Sequence, residues 1–352
     1  MLAGTTLSVH FPDSRRIAVE ESQKMIDWKK LHGRAYVGRT VLVTGGCGFI
    51  GSHLVDALLE LGAKVRVLDD LSSGLETNIS ALSSVELYRG SILDQHLVSR
   101  ACLGCNIVFH LAAMVSVPAS VANPSAYQLT NVDGTFAVLE SARQNKVSRF
   151  VFSASSSAYG DDAELPKRES MPTRPCSPYA ATKAAGEMLV RAYARSYDMD
   201  GVNLRYFNIF GPRQRADSPY SGVIAAFASR LLKGLPPRIT GDGTASRDFT
   251  FVANAVHANL LAGASTSRFD GDVFNVATGK SETVQNLARR MILLAQKHEI
   301  SPEFAPARPG DVPHSLADLG HARNRLGYTP IVDFEVGLAQ TWQWYESRAG
   351  RG

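Results

Sequence analysis

Apolar positions along the chain alternate between two rhythms. Thr40-Val-Leu-Val-Thr44 is a run of apolar and β-branched residues, as in a buried parallel strand. After a glycine-rich stretch, Ile50, Leu54, Ala57, Leu58 and Leu61 recur at helical spacing, and Gly62 supplies a stop. Lys64-Val-Arg-Val-Leu68 is a second strand ending in Asp69-Asp70, which completes one βαβ unit. Val85–Tyr88, Ile107–His110, Phe150–Ser153 and Val202–Tyr206 read as further strands, with helical patterns over Gln95–Cys102, Ala126–Gln144 and Tyr179–Tyr197. This alternation predicts an α/β protein with a doubly wound parallel sheet. After Asn208, Gly-Pro-Arg, Ser-Pro-Tyr and Leu-Pro-Pro punctuate the chain and short elements are expected. The predicted division is a leader over 1–38, with a short helix near Ser22–Leu31; a sheet domain over 39–208, rejoined by about 249–262; and a smaller C-terminal domain over 209–352.

Composition narrows the functional classes. A chain of 352 residues, 45% apolar and 20% charged, can bury one large core or two smaller ones. A net charge of +4 without a Lys/Arg-rich run points away from nucleic acid. No apolar stretch reaches the roughly 18 residues that span a bilayer, and the N-terminus has no long apolar segment of a secretory signal. A cytoplasmic protein with no membrane partner is the expectation. Of the four cysteines, Cys47, Cys102, Cys105 and Cys176, two form a CxxC, but a structural zinc site needs about four ligands and no second pair follows. An ordinary helix-to-strand loop is expected there, and no metal.

Gly45, Gly48 and Gly51 lie between the first strand and its helix. Glycines in that context permit a tight turn and let the backbone approach a pyrophosphate at a helix N-terminus. Asp69, at the end of the second strand, suits the two hydroxyls of an adenosine ribose and would repel a 2′-phosphate, so NAD is favoured over NADP. Asp70 is the runner-up or a helper; an aspartate at a strand end also caps turns. Tyr179 and Lys183 stand one helical turn apart. An ammonium near a phenol whose ordinary pKa is about 10 lowers that pKa, which makes the tyrosine a usable acid/base. Upstream, Ser153, Ser155, Ser156 and Ser157 fall at the carboxyl end of a strand, where open sheets bind ligands. His110 reads as an ordinary strand-end residue.

Thr44 to Gly51 reads TGGCGFIG, which resembles the extended members of the short-chain dehydrogenase/reductase superfamily. The likeness extends over residues 40–340 and is closest to NAD-dependent UDP-sugar 4-epimerases, above all those acting on UDP-N-acetylglucosamine and UDP-N-acetylgalactosamine. It implies a Rossmann-like sheet with a substrate domain, and Ser155, Tyr179 and Lys183 as catalytic residues. It further implies that Gly45, Gly48, Phe49, Ile50, Asp69, Asp70, Ser91, Ile92, Leu111, Ala112, Ala113 and Asn131 surround NAD, with Asn131 bracing the site and Lys183 also bonding the nicotinamide ribose. Ser116, Ser156, Ser157 and Val223 would line the sugar site. Asn208, Arg247 and Arg308 would hold the diphosphate, and Asp311 the uridine ribose. At the position of Ser315, epimerases restricted to non-acetylated sugars tend to carry tyrosine; a serine leaves room for an N-acetyl arm, or has no selective role. Asp318 would cap the following helix. The implied reaction inverts C4 through a transient 4-keto sugar with no net redox change, in a homodimer built on Ala126–Gln144 and Tyr179–Tyr197.

Two departures from the pattern stand out. Gly90-Ser91-Ile92 lacks the aspartate with which many relatives contact adenine, so that contact is missing or moves to Asp94; and a lysine found in some glucose epimerases is replaced by Val115. The Asp-Glu pair of a 4,6-dehydratase is absent near Ser156-Ser157. UDP-glucuronate 4-epimerase, UDP-glucose/UDP-galactose 4-epimerase and a non-catalytic NAD-sensing protein remain as alternatives.

Overall fold

The computed structural model describes residues 26–216, 222–306 and 313–349. Short helix α1 (Trp28–His32) precedes β1 (Thr40–Thr44), α2 (Phe49–Glu60), β2 (Lys64–Asp69), β3 (Val85–Arg89), α3 (Gln95–Cys102) and β4 (Ile107–His110). Helices α4 (Val117–Ala122), α5 (Pro124–Gln128) and α6 (Gly134–Gln144) lead to β5 (Arg149–Ser155), α7 (Pro178–Ser196) and β6 (Asp200–Tyr206). Beyond lie α8 (Val223–Leu232), α9 (Val252–Ala264), β7 (Asp272–Val276), α10 (Val284–Leu294) and α11 (Phe334–Ala349), with several two- or three-residue strands between them.

Strands β1 to β7 form one parallel sheet in the order β7-β6-β5-β4-β1-β2-β3. The order reverses between β4 and β1, and a crevice opens there at the strands' carboxyl ends. Helices on both faces bury the sheet: β4 is buried at every position and almost wholly apolar, and β6 is equally buried although it carries Asp200, Asn203 and Arg205, whose polar groups are met by ion pairs and hydrogen bonds. One apolar cluster joins Val41, Val43, Leu54 and Leu58 to Val202, Phe274 and α9; the other, on the opposite face, joins Leu42, Val108, Phe150 and Phe152 to α3, α6 and α7.

Three expectations need correction. The pattern over Ala126–Gln144 is not one α-helix: Leu129–Asp133 widens into a π-turn between α5 and α6. The region after Asn208 is not confined to short elements, since α9 and α11 have 13 and 16 residues. The chain also re-enters the sheet through β7, a strand whose Asp272-Val-Phe-Asn-Val276 alternates too weakly to stand out. The expected short helix of the leader is present as α1, and residues 26–38 pack against the sheet domain. Tyr36 is fully buried and donates to the Leu260 carbonyl at 2.7 Å, and His32 meets His257 at 3.0 Å. The rest of the leader lies outside the described residues.

Helix α7 is clamped to β6 by a buried bidentate pair, Glu187 with Arg205, at 2.7 and 2.8 Å, with the guanidinium over the Tyr159 ring. Cys102 and Cys105 are buried free thiols at the end of α3 and in the loop after it. Among the described residues no helix is long and apolar enough to cross a membrane.

Candidate active site

The carboxyl ends of β1, β2, β4 and β5 converge on the crevice. Gly45 takes a φ of 70°, which disfavours any residue with a Cβ, and a Cβ there would lie 2.8 Å from the Ala112 nitrogen. A Cβ on Gly51 would fall inside the van der Waals envelope of the Gly45 carbonyl oxygen. The turn therefore presses directly on both α2 and the Leu111–Ala113 segment. Gly48 is the N-cap of α2, and no side chain caps the helix. Phe49 and Ile50 open its first turn, whose N–H groups and positive dipole end are available to an anion. Asp69 is buried and accepts from the backbone N–H groups of Cys47 (2.9 Å) and Leu71 (2.8 Å). Burial raises its pKa and these two bonds oppose the rise. Each carboxylate oxygen keeps a further lone pair. Backbone donors for a pyrophosphate and a fixed carboxylate beside them fit a dinucleotide.

The remaining nucleotide positions divide. Asp70 is exposed, and its carboxylate is taken up by the Ser72 N–H and hydroxyl. Ser91 accepts from Leu93, and Ile92 is buried with its side chain where a Cβ on Gly134 would stand. Asp94 caps α3 by accepting from Leu97 N–H through one carboxylate oxygen.

The catalytic candidates meet where β5 ends and α7 begins. Ser177 caps α7, Pro178 occupies its first turn, and Tyr179 follows. Ser155 Oγ accepts from both the N–H (3.2 Å) and the hydroxyl (2.9 Å) of Ser157. A hydrogen bond between Ser155 and the Tyr179 phenol lowers the phenol's pKa. Ser156 opens the adjoining 3₁₀ turn. Lys183 is buried: its ammonium donates to the Ser153 carbonyl at 2.8 Å and stands 5.0 Å above the Phe152 ring. Burial brings its pKa down to about 8. In the protein by itself, desolvation raises the pKa of Tyr179 and the hydrogen bond with Ser155 opposes the rise.

Asn131 holds the site from behind. Its carboxamide accepts from Met114 N–H (2.8 Å) and donates to the Met114 carbonyl and to Thr182 Oγ1 (both 3.0 Å). Thr182 in turn donates to the Tyr179 carbonyl at 2.8 Å. Ser116 caps α4 through Ala119, and Ser120 accepts from Tyr179 N–H at 3.1 Å. Thr182 and Ser120 were not singled out from sequence. Thr182 carried a signal, a hydroxyl inside the Tyr-x-x-x-Lys turn; Ser120 carried none.

A third cluster gathers distant segments. Asn208 adopts a left-handed φ of 40°, and its amide donates to the Asp248 carbonyl (3.1 Å) and reaches Ser315 Oγ (3.5 Å). Ser315 N–H donates to the Ser246 carbonyl at 3.0 Å, next to Arg247, whose guanidinium donates to the carbonyls of Ser246 and Pro313, each at 2.9 Å. Buried Asp248 binds this region together by accepting from Thr278, Gly279 and Ala317. Asp318 accepts from Gly320 as the following helical turn begins. Val223 begins α8. Arg308 and Asp311 lie outside the described residues.

The NAD dependent epimerase/dehydratase family matches residues 41–277. A UDP-glucose 4-epimerase of Mycolicibacterium smegmatis is 39% identical over 313 residues, 88% of this chain and 99% of that one. Two solved structures are similar throughout. One is a UDP-N-acetylglucosamine 4-epimerase from Methanobrevibacter ruminantium in complex with UDP-N-acetylmuramic acid (39% identity, 89% of this chain and 99% of that chain, TM-score 0.85). The other is a Thermus thermophilus UDP-glucose 4-epimerase complexed with NAD (36% identity, 87% and 99%, TM-score 0.79).

Proposed function

This chain belongs to the NAD dependent epimerase/dehydratase family, and from that premise we propose that it interconverts UDP-N-acetylglucosamine and UDP-N-acetylgalactosamine by inverting C4. It is an NAD-dependent enzyme of the UDP-sugar 4-epimerase kind. The choice of an acetylated sugar rests on one observation: Ser315, a small residue, stands beside Asn208 in the third cluster. The Methanobrevibacter relative, which was solved with an N-acetylated ligand, supports the same choice. The Mycolicibacterium relative supports a second reading, UDP-glucose/UDP-galactose.

The first turn of α2 and Asp69 would hold NAD, with Leu111–Ala113 as a wall and Lys183 on the nicotinamide ribose. Bound NAD would supply a reversible two-electron acceptor, and its oxidised ring would add positive charge beside Tyr179 and Lys183. Tyr179 then takes the proton of the C4 hydroxyl and later returns it, while Ser155 steadies the same oxygen. The transient 4-keto sugar presents its other face while Asn208 and Arg247 keep the diphosphate anchored; a guanidinium suits phosphate because it offers parallel donors. Ser116, Ser156, Ser157 and Val223 border the sugar. Because oxidation and reduction cancel, no cofactor has to be exchanged.

The test is incubation of purified protein, without added NAD, with UDP-N-acetylglucosamine, UDP-glucose or UDP-glucuronate, with products resolved by proton NMR. Fastest C4 inversion of the acetylated sugar is expected; faster turnover of either other sugar overturns the substrate assignment. We also propose a homodimer, supported by the exposed apolar side chains of Val121, Leu129, Phe136 and Met188 along α4 to α7. Sedimentation should give a dimer that Met188→Glu dissociates, and a monomeric parent would refute this.

A further inference from the structure

The sequence offered His110 no role beyond ending a strand, yet the structure places it in the middle of a buried chain of hydrogen bonds. Thr44 Oγ1 lies 2.7 Å from His110 Nδ1, and His110 Nε2 lies 3.0 Å from Thr135 Oγ1. Thr135 Oγ1 donates to the Asn131 carbonyl at 2.6 Å, and Ala112 N–H donates to Thr44 Oγ1 at 3.3 Å. Through Asn131 and Thr182 the chain reaches the Tyr179 carbonyl. Thr44, His110, Thr135, Asn131 and Thr182 are all buried, so none of these links is shared with bulk water.

Proton accounting assigns every direction. Thr135 has one hydroxyl proton, and its short contact with a carbonyl consumes it. It can therefore only accept from His110, so Nε2 carries the ring proton. Nδ1 is then an acceptor, and Thr44 must donate to it; Thr44 remains free to accept from Ala112. An imidazolium would leave Thr44 facing a second donor. It would also add a second cation beside the Phe152 ring, since His110 stacks on that ring (5.8 Å) and the Lys183 ammonium lies 5.0 Å from its centroid. Burial and Lys183 hold the pKa of His110 down to about 3, in agreement with this geometry.

We propose that His110, as the neutral Nε2–H tautomer, is a positioning residue for the reaction: it ties the Gly45 turn and the Ala112 wall to the helix turn that carries Tyr179. Thr44 immediately precedes Gly45, and Ala112 is the backbone that a Cβ on Gly45 would strike. The two ends of the chain are thus the cofactor cradle and the catalytic helix. Small errors in such a spacing are costly, because the reacting groups work only in a narrow range of separation. The part of this inference that concerns catalysis rests on the epimerase reading; the tautomer does not.

The experiment therefore has two arms on the full-length protein with its retained NAD. In the first, ¹⁵N-histidine labelling reads the ring-nitrogen shifts of His110, assigned by their loss in His110→Gln. A neutral Nε2–H ring unchanged from pH 5 to 8 is expected, and an Nδ1–H or doubly protonated ring overturns the assignment. In the second, Thr135→Val, which keeps shape and loses the hydroxyl, is compared with Thr135→Ser. Valine should lower kcat about tenfold with KM unchanged, and serine should restore it. Equal kcat in the two variants, or an effect confined to KM, overturns the positioning role. Should Thr135→Val fail to fold, Thr182→Val against Thr182→Ser repeats the comparison at the next link. If the parent protein turns over no UDP-sugar, the epimerase reading fails, and the nitrogen shifts still decide the tautomer.

Discussion

Tyr179 shows how far a side chain's chemistry depends on what surrounds it. Its phenol is desolvated and its pKa raised, and a hydrogen bond with Ser155, which Ser157 contacts in turn, opposes the rise. Tyr179→Phe should leave NAD bound and remove 10² to 10⁴ of turnover, roughly the contribution of a positioned acid/base; retained NAD measured spectrophotometrically alongside kcat checks both halves. In the third cluster, Ser315→Tyr should lower kcat/KM for UDP-N-acetylglucosamine by about 10- to 200-fold while sparing UDP-glucose, the range over which pocket volume discriminates. Competition kinetics with the two sugars measures the ratio, and an unchanged ratio would mean that residue 315 has no selective role.

At the scale of elements, the catalytic helix is held as a unit. Ser177 and Pro178 start α7, Glu187 and Arg205 fasten its middle to β6, and Asn131 grips its first turn from the π-widened segment before α6. The ion pair is almost fully buried, so breaking it by Glu187→Gln leaves an uncompensated guanidinium and should cost about 3–5 kcal/mol in urea unfolding. The double variant Glu187→Leu with Arg205→Met should recover most of that loss, because it removes both desolvated charges. Much at this scale was legible in advance. The strands β1, β2 and β4 to β6 and helices α2, α3 and α7 follow from apolar spacing, because each buries a face; the edge strand β3 follows from its alternation, although none of its residues is fully buried. The π-turn at Leu129–Asp133 was not legible, since a widened turn keeps nearly the same apolar spacing while changing which backbone groups are free.

For the whole molecule, the histidines set a pH dependence. Burial brings His32, His53 and His257 down to about 4 and His110 to about 3, against an ordinary value of 6.5. As pH falls below 6.5 the unfolded chain takes up protons that the folded chain refuses, so stability present above 6.5 is lost progressively towards pH 4. The loss should be on the order of 1 kcal/mol per pH unit for the deeply buried His53 and His110, and less for the more accessible, mutually bonded His32 and His257. The raised carboxyls of Asp69, Glu169 and Asp248 act in the opposite sense. Comparing Tm at pH 7.5 and 5 for the parent and for His257→Gln isolates the histidine part; the variant should show the shallower decline, and parallel slopes would contradict it. His257 also anchors the residues before β1 to α9 through His32, so this titration reports on that contact.

Local spacing determined the βαβ alternation, the glycine turn with Asp69 beyond it, and the pairing of Tyr179 with Lys183. Each is built from residues close in the chain, where geometry is dictated by one helix or one strand. Tertiary structure alone decided that Asn208 and Ser315, 107 positions apart, share a hydrogen bond, that β7 closes the sheet, and that Lys183 turns to the Ser153 carbonyl instead of the phenol. It also made His110 the centre of a directed chain from the cofactor turn to the catalytic helix. Those relations depend on which buried polar groups meet across strands and helices, and a buried group must satisfy its partners wherever the fold delivers them.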